Sequence, residues 1–454
     1  MSNTLMVSVS GMRGIVGRDL TPELVTRQAA ALGAWARAAG RPSVVLGRDA
    51  RTSGEMFSHA AIAGLLSVGV EVIDVGLVPT PTVQMAVEHH HAGAGLILTA
   101  SHNPIAWNAL KFVGPDGIFL DAEAGAAVRS LAEQGPPRGG WDDLGTLRRD
   151  AVAIDRHLDA ILDLPMLDVA RIRARRFRVA LDCVRGAGGT IMPTLLERLG
   201  CAMDGIHLET DGRFPREPEP IPEHLGDLGD LVRRAGADLG FAVDPDVDRL
   251  ALVDDQGNPI GEDYTLALAV RAVLSRRPAG APMATVVANL STSRVVEDAA
   301  LAFGARFLRA PVGEAHVARM LVESGAVIGG EGNGGVILPA LHVGRDAPLG
   351  VALILQYLAD LGTPLAGVIA AAPRYRIVKD KAPRGADLTV VYQVLEARFP
   401  DAETDRRDGL RLAWFDRWVH VRPSGTEPII RFIAEAPDEA AARALITACR
   451  SALP

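Results

Sequence analysis

The stretch Leu239-Gly-Phe-Ala-Val-Asp-Pro-Asp-Val-Asp-Arg249 reads as a short apolar strand running straight into three carboxylates. Five uncharged residues in a row suit a strand covered on both faces of a parallel sheet. Ligands of such sheets gather at the carboxyl ends of the strands. That end here carries Asp244, Asp246 and Asp248 at alternate positions, which an extended backbone turns to one side. Two carboxylates about 6 Å apart repel by roughly 3 kcal/mol at an effective dielectric of about 20, so three together require a cation. An all-oxygen donor set selects Mg²⁺ or a similar hard ion, which favours a phosphate oxygen as a further ligand. A phosphatase with Asp244 as nucleophile is the competing reading, but its Asp-x-Asp-x-Thr signature has threonine or valine where Asp248 stands.

The same punctuation recurs on either side. The apolar run 95–98 ends in Thr99-Ala-Ser-His-Asn-Pro104, which exposes Ser101 at a strand end. Further on, Gly329-Gly-Glu-Gly-Asn-Gly-Gly335 spells a dinucleotide fingerprint. That fingerprint needs a following helix to meet a pyrophosphate, whereas Val336-Ile-Leu-Pro339 is strand-like. Glu331 and Asn333 instead offer a carboxylate and an amide on a flexible loop, groups that hydrogen-bond vicinal sugar hydroxyls. In Val421-Arg-Pro-Ser-Gly-Thr-Glu-Pro428, glycine lets successive N–H groups curl around an anion, with Arg422, Ser424 and Thr426 as added donors. Near the start, Ser10-Gly-Met-Arg-Gly-Ile15 sets Arg13 between glycines, either as a functional element or as a mobile end.

Strand-like and helix-like runs alternate around these motifs. The order strand 43–46, helix 56–68, strand 70–75, strand 95–99 restarts after 154–162 and again after 264–275, which predicts three tandem α/β units with parallel strands and crossover helices. Beyond Ala371-Ala-Pro373 the order changes to a smaller α+β unit. The expected domains are 1–150, 151–254, 255–370 and 371–454. A chain of 454 residues has ample material for four cores.

A net charge of −8 with 4% aromatic residues excludes a nucleic-acid surface, which needs a basic face and stacking rings. The amino terminus lacks a basic region followed by an apolar run, and no segment has the roughly 18 apolar residues of a membrane span, so cytoplasmic residence is expected. Cys183, Cys201 and Cys449 are unclustered and read as buried free thiols. His89-His-His91 ends a helical pattern and reads as a solvated helix end, and Asn289-Leu-Ser291 is a glycosylation sequon by spelling only. Of 47 basic residues only Lys111, Lys379 and Lys381 are lysines. Arginine cannot act as a base because its pKa is too high, so a lysine in Asn108-Ala-Leu-Lys111, just past the serine loop, is a candidate general base.

Taken in order, Ser10-Gly-Met-Arg-Gly, Thr99-Ala-Ser-His-Asn-Pro, Asp244-x-Asp-x-Asp-Arg, Gly330-Glu-Gly-Asn-Gly-Gly and Arg422-Pro-Ser-Gly-Thr-Glu-Pro resemble the motifs of the α-D-phosphohexomutases. The resemblance implies four domains around a central cleft, three mixed α/β and a smaller α+β domain at the carboxyl end. It implies that Ser101 is a phosphoserine and, with Asp244, Asp246 and Asp248, a ligand of one Mg²⁺, while Arg249 screens charge. Arg13, His102 and Lys111 would line the reacting centre. Glu331 and Asn333 would bind the sugar, and Arg422, Ser424, Gly425 and Thr426 its distal phosphate.

The substrate implied is a hexose phosphate, turned over through a hexose 1,6-bisphosphate by a monomer or homodimer. Ala288-Asn-Leu-Ser-Thr-Ser-Arg294 is most similar to phosphoglucosamine mutases of archaeal type, with phosphomannomutase or phosphoglucomutase activity as the alternative. A non-catalytic sugar phosphate sensor is the rival binding reading. The usual sugar loop, Gly-Glu-x-Ser-Gly-His, has Asn333 here for serine and Gly335 for histidine.

Overall fold

The computed structural model describes residues 5–385, 387–424 and 429–451, so the expected phosphate-loop residues Gly425 and Thr426 lie outside the described residues. Twenty strands form four sheets among the described residues. The first holds β1 (Met6–Ser8), β2 (Gly11–Ile15), β3 (Ser43–Arg48), β4 (Glu71–Leu77), β5 (Ala94–Leu98), β6 (Trp107–Val113) and β7 (Leu147–Arg149). The second holds β8 (Arg178–Asp182), β9 (Ala202–Ile206), β10 (Leu239–Val243) and β11 (Leu250–Val253). The third holds β12 (Thr285–Asn289), β13 (Arg306–Ala310), β14 (Ile328–Glu331) and β15 (Gly335–Ile337). The fourth holds β16 (Arg376–Pro383), β17 (Glu403–Asp405), β18 (Leu410–Ala413), β19 (Trp418–Pro423) and β20 (Ile429–Ala436), all antiparallel.

One topology recurs in the first three sheets: β6-β5-β3-β4, β11-β10-β8-β9 and β15-β14-β12-β13. In each, a central strand pairs in parallel with two neighbours, and the third strand of the unit turns back into an antiparallel fourth. The tandem repeat expected from the sequence is therefore present, with an antiparallel edge that parallel alternation did not foresee. The edge has a consequence for function, because one motif loop of each unit is the turn between the third and fourth strands. The serine loop joins β5 to β6, the aspartate loop β10 to β11, and the sugar loop β14 to β15.

Strands β5 and β10 are buried at every residue, as their unbroken apolar runs require. The first sheet packs apolar side chains on both faces. The second and third units share one continuous core that runs from Leu158 to Leu365, and the fourth has its own. Residues 10–15 are not a mobile end, since β2 pairs with β6 from Gly11 opposite Lys111 to Ile15 opposite Trp107. Gly11, at φ +150°, has no room for a Cβ against the carbonyl of Leu110, so the close approach of these strands needs glycine there. Helix Pro22–Ala38, capped by Thr21 and begun by proline, also went unread in the sequence.

One buried cluster ties the units together. His157, on helix Ala153–Leu162, places Nε2 2.7 Å from Asp346 Oδ2 and Nδ1 2.9 Å from Thr82 Oγ1. His342 Nε2 lies 3.0 Å from the same Asp346 oxygen, and Asp346 Oδ1 caps helix Ala347–Leu361 by accepting the Leu349 N–H at 2.9 Å. Burial alone would raise the Asp346 pKa, but the charge of His157 and hydrogen bonds from both histidines outweigh it and hold the carboxyl well below the usual range. A depressed carboxyl contributes stability that is present above its unfolded pKa of about 3.9 and is lost as pH falls below it. Asp346→Ala should cost about 3–5 kcal/mol at pH 7 by leaving the buried cluster without its anion. Urea unfolding at pH 7 and in acid checks this: the gap between variant and wild type should narrow below about pH 4.

Candidate active site

Ser101 stands in left-handed backbone, φ 47°, immediately after β5. A serine in that region is strained and persists only where its surroundings impose it. Here they do. The Ser101 N–H donates to Thr99 Oγ1 at 3.0 Å, and the Thr99 hydroxyl donates to Asp49 Oδ2 at 2.6 Å. Asp49 also holds Arg51 Nε at 3.2 Å. The fully buried Arg51 guanidinium then donates to four loop carbonyls: Ser101 and Asn103 at 2.6 Å, Trp107 at 2.8 Å and Pro104 at 2.9 Å. It stacks over the Phe214 ring at 5.0 Å, which fixes this loop against the second unit.

The three aspartates are fully buried and are, among the described residues, the one group of carboxylates, histidines and cysteines spaced to hold a metal, with ligand atoms within 4.8 Å of one another. Each has one oxygen held by a fixed donor. Asp244 Oδ1 accepts the N–H groups of Asp248 and Arg249 at 3.1 and 3.2 Å. Asp246 Oδ2 accepts from Thr80 Oγ1 at 2.8 Å and Lys111 Nζ at 2.7 Å. Asp248 Oδ2 accepts from Arg345 Nη2 at 2.6 Å. The other oxygen of each is left for a ligand: Oδ1 of Asp246 and of Asp248 are buried without a hydrogen-bond partner, and Asp244 Oδ2 accepts from the Ser101 hydroxyl at 2.7 Å, with the Asp246 carboxyl close enough to interact with Asp244 directly. Burial, and then repulsion from Asp246 and Asp248, push the Asp244 pKa well above the usual carboxylate range. Buried oxygens without partners and one carboxyl driven toward its neutral form mark a site short of positive charge. The donor set fits a divalent cation.

Around this centre a cavity of about 160 Å³ is lined by Arg13, Ser101, His102, Lys111, Arg249 and Arg345, among others. The hydroxyl expected to be phosphorylated and the expected metal ligands thus meet at one place. Arg13 Nη1 donates to Asn103 Oδ1 at 3.0 Å, and its pKa is lowered by burial and by the charge of Arg249. His102 Nδ1 lies 3.4 Å from Ser101 Oγ, and burial, with Arg249 and Arg13, pulls its pKa down to about 2, so the imidazole is neutral. Arg249 Nη1 donates to Glu219 Oε1 at 2.8 Å. Burial would lower the Lys111 pKa, but Asp246 and Asp248 outweigh it and raise it, so the amine is held protonated here.

The sugar loop is not the flexible loop expected. It is a three-residue turn of a hairpin in which Glu331 pairs with Gly335, and Gly334, at φ +87°, has no room for a Cβ against the Leu250 carbonyl beside the aspartate loop. Glu331 is buried with both oxygens engaged: Oε1 by Asn289 Nδ2 at 2.8 Å and the Gly313 N–H at 3.1 Å, Oε2 by Arg345 at 2.8 Å. Asn333 Oδ1 accepts the Gly335 N–H at 3.3 Å. Arg422 is paired with Asp408 at 3.1 Å, and the Ser424 N–H donates to the Ile429 carbonyl at 2.9 Å. Among the described residues, none of the fourth unit lines the Ser101 cavity.

Sequence reasoning missed Asp49, Arg51, Thr80, Glu314 and Arg345, which act through contacts between distant segments. The other sequence features stay apart from the site. His90 pairs with Asp150 at 2.7 Å, the Asn289 amide is spent on Glu331, and the cysteines are free, with Cys201 and Cys449 pushed up to about 12 by burial. No helix among the described residues is long and apolar enough to cross a membrane.

A serine loop, a carboxylate cluster, a sugar-loop hairpin and a fourth antiparallel unit define a multidomain phosphoryl-transfer enzyme. Family models for phosphoglucomutase/phosphomannomutase α/β/α domains I, II and III and the C-terminal domain match residues 5–138, 155–257, 261–375 and 375–451 in turn. The chain therefore belongs to the phosphoglucomutase/phosphomannomutase family and is an intramolecular phosphotransferase. It is 40% identical to a phosphoglucomutase/phosphomannomutase of Thermococcus kodakarensis over 95% of each chain. It is 37% identical to a probable phosphoglucosamine mutase of Methanopyrus kandleri, over 96% of this chain and 95% of that one. The crystal structure of a phosphoglucomutase/phosphomannomutase family protein from Burkholderia thailandensis superposes with a TM-score of 0.86 at 28% identity, over 98% of this chain and 96% of that one.

Arg51→Met leaves Asp49 unpaired and frees four carbonyls of the serine loop. It should lower stability by about 3–5 kcal/mol and reduce turnover in whatever fraction stays folded; unfolding curves and steady-state rates at matched folded concentration check both.

Proposed function

We propose that the chain interconverts a hexose 6-phosphate and a hexose 1-phosphate through phosphorylated Ser101 and a hexose 1,6-bisphosphate, with glucosamine phosphate as the preferred sugar. The observation that carries this is the 2.7 Å contact of Ser101 Oγ with Asp244 Oδ2, which sets a strained hydroxyl at the open side of the carboxylate cluster. The relative named probable phosphoglucosamine mutase supports the sugar, together with the segment 288–294. Phosphomannomutase or phosphoglucomutase activity is the second reading, favoured by the 40% identical relative of that name.

Ser101, Asp244, Asp246 and Asp248 would hold one Mg²⁺, which when bound neutralises charge on a transferring phosphoryl group. Arg13 and Arg249, both facing the cavity, supply fixed positive charge for the same oxygens. Lys111 is assigned the proton of the sugar hydroxyl. Its ammonium form is a proton donor with no lone pair, so accepting the hydroxyl proton requires Nζ first to release a proton, which loosening its contacts with Asp246 and Asp248 would favour. His102, neutral beside Ser101, can give or take a hydrogen bond at the phosphoryl oxygens. Glu331 and Asn333 are assigned to sugar hydroxyls, and Glu331 would exchange one of its present partners to reach them. Arg422, Ser424, Gly425 and Thr426 are assigned to the distal phosphate. The bisphosphate must turn over between half-reactions, and backbone donors with one arginine suit either phosphate equally.

A phosphatase using Asp244 is disfavoured, because Asp248 stands where that signature has threonine or valine. We place the enzyme in the cytoplasm, as a monomer or homodimer with domain limits near 150, 254 and 370.

Peptide mass spectrometry of the purified protein should find one phosphate, on Ser101, and Ser101→Ala should lose both phosphate and turnover. Isomerisation of glucosamine 6-phosphate, compared with glucose 1-phosphate and mannose 1-phosphate after priming by a hexose 1,6-bisphosphate, decides the sugar. Release of inorganic phosphate without isomerisation would overturn the proposal. Lys111→Arg keeps the charge and removes the titratable amine, so turnover should fall by at least about 100-fold, the scale of general acid–base catalysis, while calorimetry still shows sugar phosphate binding.

A further inference from the structure

Arg345 lines the cavity, and none of the assigned roles uses it. It lies 7% exposed between three acidic residues from three different segments. Its Nη2 donates to Asp248 Oδ2 at 2.6 Å, its Nη1 to Glu331 Oε2 at 2.8 Å and its Nε to Glu314 Oε2 at 3.0 Å, while its backbone N–H reaches Glu314 Oε1 at 3.2 Å. One planar guanidinium therefore links the aspartate loop, the sugar loop and the start of helix Glu314–Ser324. The bond to Asp248 fixes which oxygen is spoken for and leaves Oδ1 buried without a partner.

The room for this guanidinium comes from one position. A Cβ on Gly335 would overlap Arg345 Cδ and stand 2.8 Å from Cγ. Gly335 lies in β15 and not in the left-handed region, so its backbone is one that any residue adopts. What the position requires is empty space over the arginine. The glycine that sets this sugar loop apart from the usual pattern and the arginine behind it form one device.

We propose that Arg345 is a positioning residue that holds Asp248 in its metal-ligating orientation and locks it to the sugar loop through Glu331, and that Gly335 is needed because it leaves space for Arg345. This rests on the metal reading of Asp244, Asp246 and Asp248 given above. Groups that orient a ligand from behind typically carry 10–100-fold in metal affinity. Arg345→Met should therefore weaken Mg²⁺ binding by that factor. Arg345→Lys, which offers a point charge in place of a fork, should fall between. Gly335→Ala removes no charged group and crowds the arginine far more closely than its next neighbour, Asn333 Oδ1 at 3.2 Å, so it should weaken Mg²⁺ binding in the same direction.

Isothermal titration of the purified full-length protein with MgCl₂ measures this directly, with Asp248→Asn as the reference for a lost ligand and melting temperatures to confirm folding. In turnover, high Mg²⁺ should restore kcat of Gly335→Ala and Arg345→Lys toward wild type, a rescue that general loss of structure does not give. If the variants that fold bind Mg²⁺ as wild type does while Asp248→Asn does not, this inference is overturned and the metal reading stands. If Asp248→Asn also binds as wild type does, the metal reading falls and takes the inference with it. Should Arg345→Met fail to fold, Arg345→Lys and Gly335→Ala decide alone, and wild-type affinity in both overturns the proposal.

Discussion

Three carboxylates buried within 4.8 Å of one another are the constraint on which the rest of the arrangement depends. In a low-dielectric interior their mutual repulsion and the cost of burying each charge must be met by donors close at hand. Asp244 is held by N–H groups of its own loop, but the donors to the other two come from outside it: Thr80 and Lys111 from the first unit and Arg345 from the third. Satisfying one small cluster therefore brings three units together, and the cavity beside Ser101 is where they meet. The compensation is incomplete in a directed way. One oxygen of each aspartate is held from behind and the other is left toward the centre, so the polypeptide supplies orientation and leaves the balancing charge to a ligand.

Much of this was legible in the chain. Unbroken apolar runs such as 239–243, ending in a polar motif, identify buried parallel strands whose carboxyl ends carry chemistry, and the three tandem units follow from their recurrence. The antiparallel fourth strand of each unit was harder to see. In β6, Trp107-Asn-Ala-Leu-Lys-Phe-Val113, polar Asn108 and Lys111 interrupt the apolar pattern, Asn108 buried against Ser53 and Lys111 against the aspartates. Polar contacts made only in the folded chain are what hid it as a strand. Asp49 and Arg51 were illegible for a different reason: their meaning is a set of hydrogen bonds to carbonyls about 50 residues away, and backbone carbonyls leave no trace in sequence. The same holds for Arg345, whose three carboxylate partners are spread over positions 248 to 331.

The repeated hairpin explains why the motifs look alike in placement and differ in content. In each of the first three units the chain leaves a central buried strand, makes a short turn and comes back along its edge. Such a turn is anchored at both ends by ladder hydrogen bonds, so a few residues can be held in strained or crowded geometry. Ser101 and Val247, both with positive φ, sit in two of these turns, and Gly334 sits in the third. One scaffold therefore presents a hydroxyl, a carboxylate set and a tightly packed sugar loop, each from a fixed base.

The division between lysine and arginine at the centre follows from the same physics. Arg345 must satisfy three carboxylates that diverge from one point, which a planar five-donor fork can do and a single ammonium cannot. Its charge is permanent, so the positions it holds do not vary with protonation. Lys111 faces two carboxylates from the cavity side, at 2.7 and 3.6 Å, and remains partly open to it. A compact charge on a flexible stem can leave such partners, and it can lose its proton. In a chain that uses arginine at 44 of its 47 basic positions, a lysine lines the same cavity as Ser101, and Arg345 joins Asp248 to Glu314 and Glu331. The two residues are not interchangeable, because one links three carboxylates at once and the other meets two with a single compact charge.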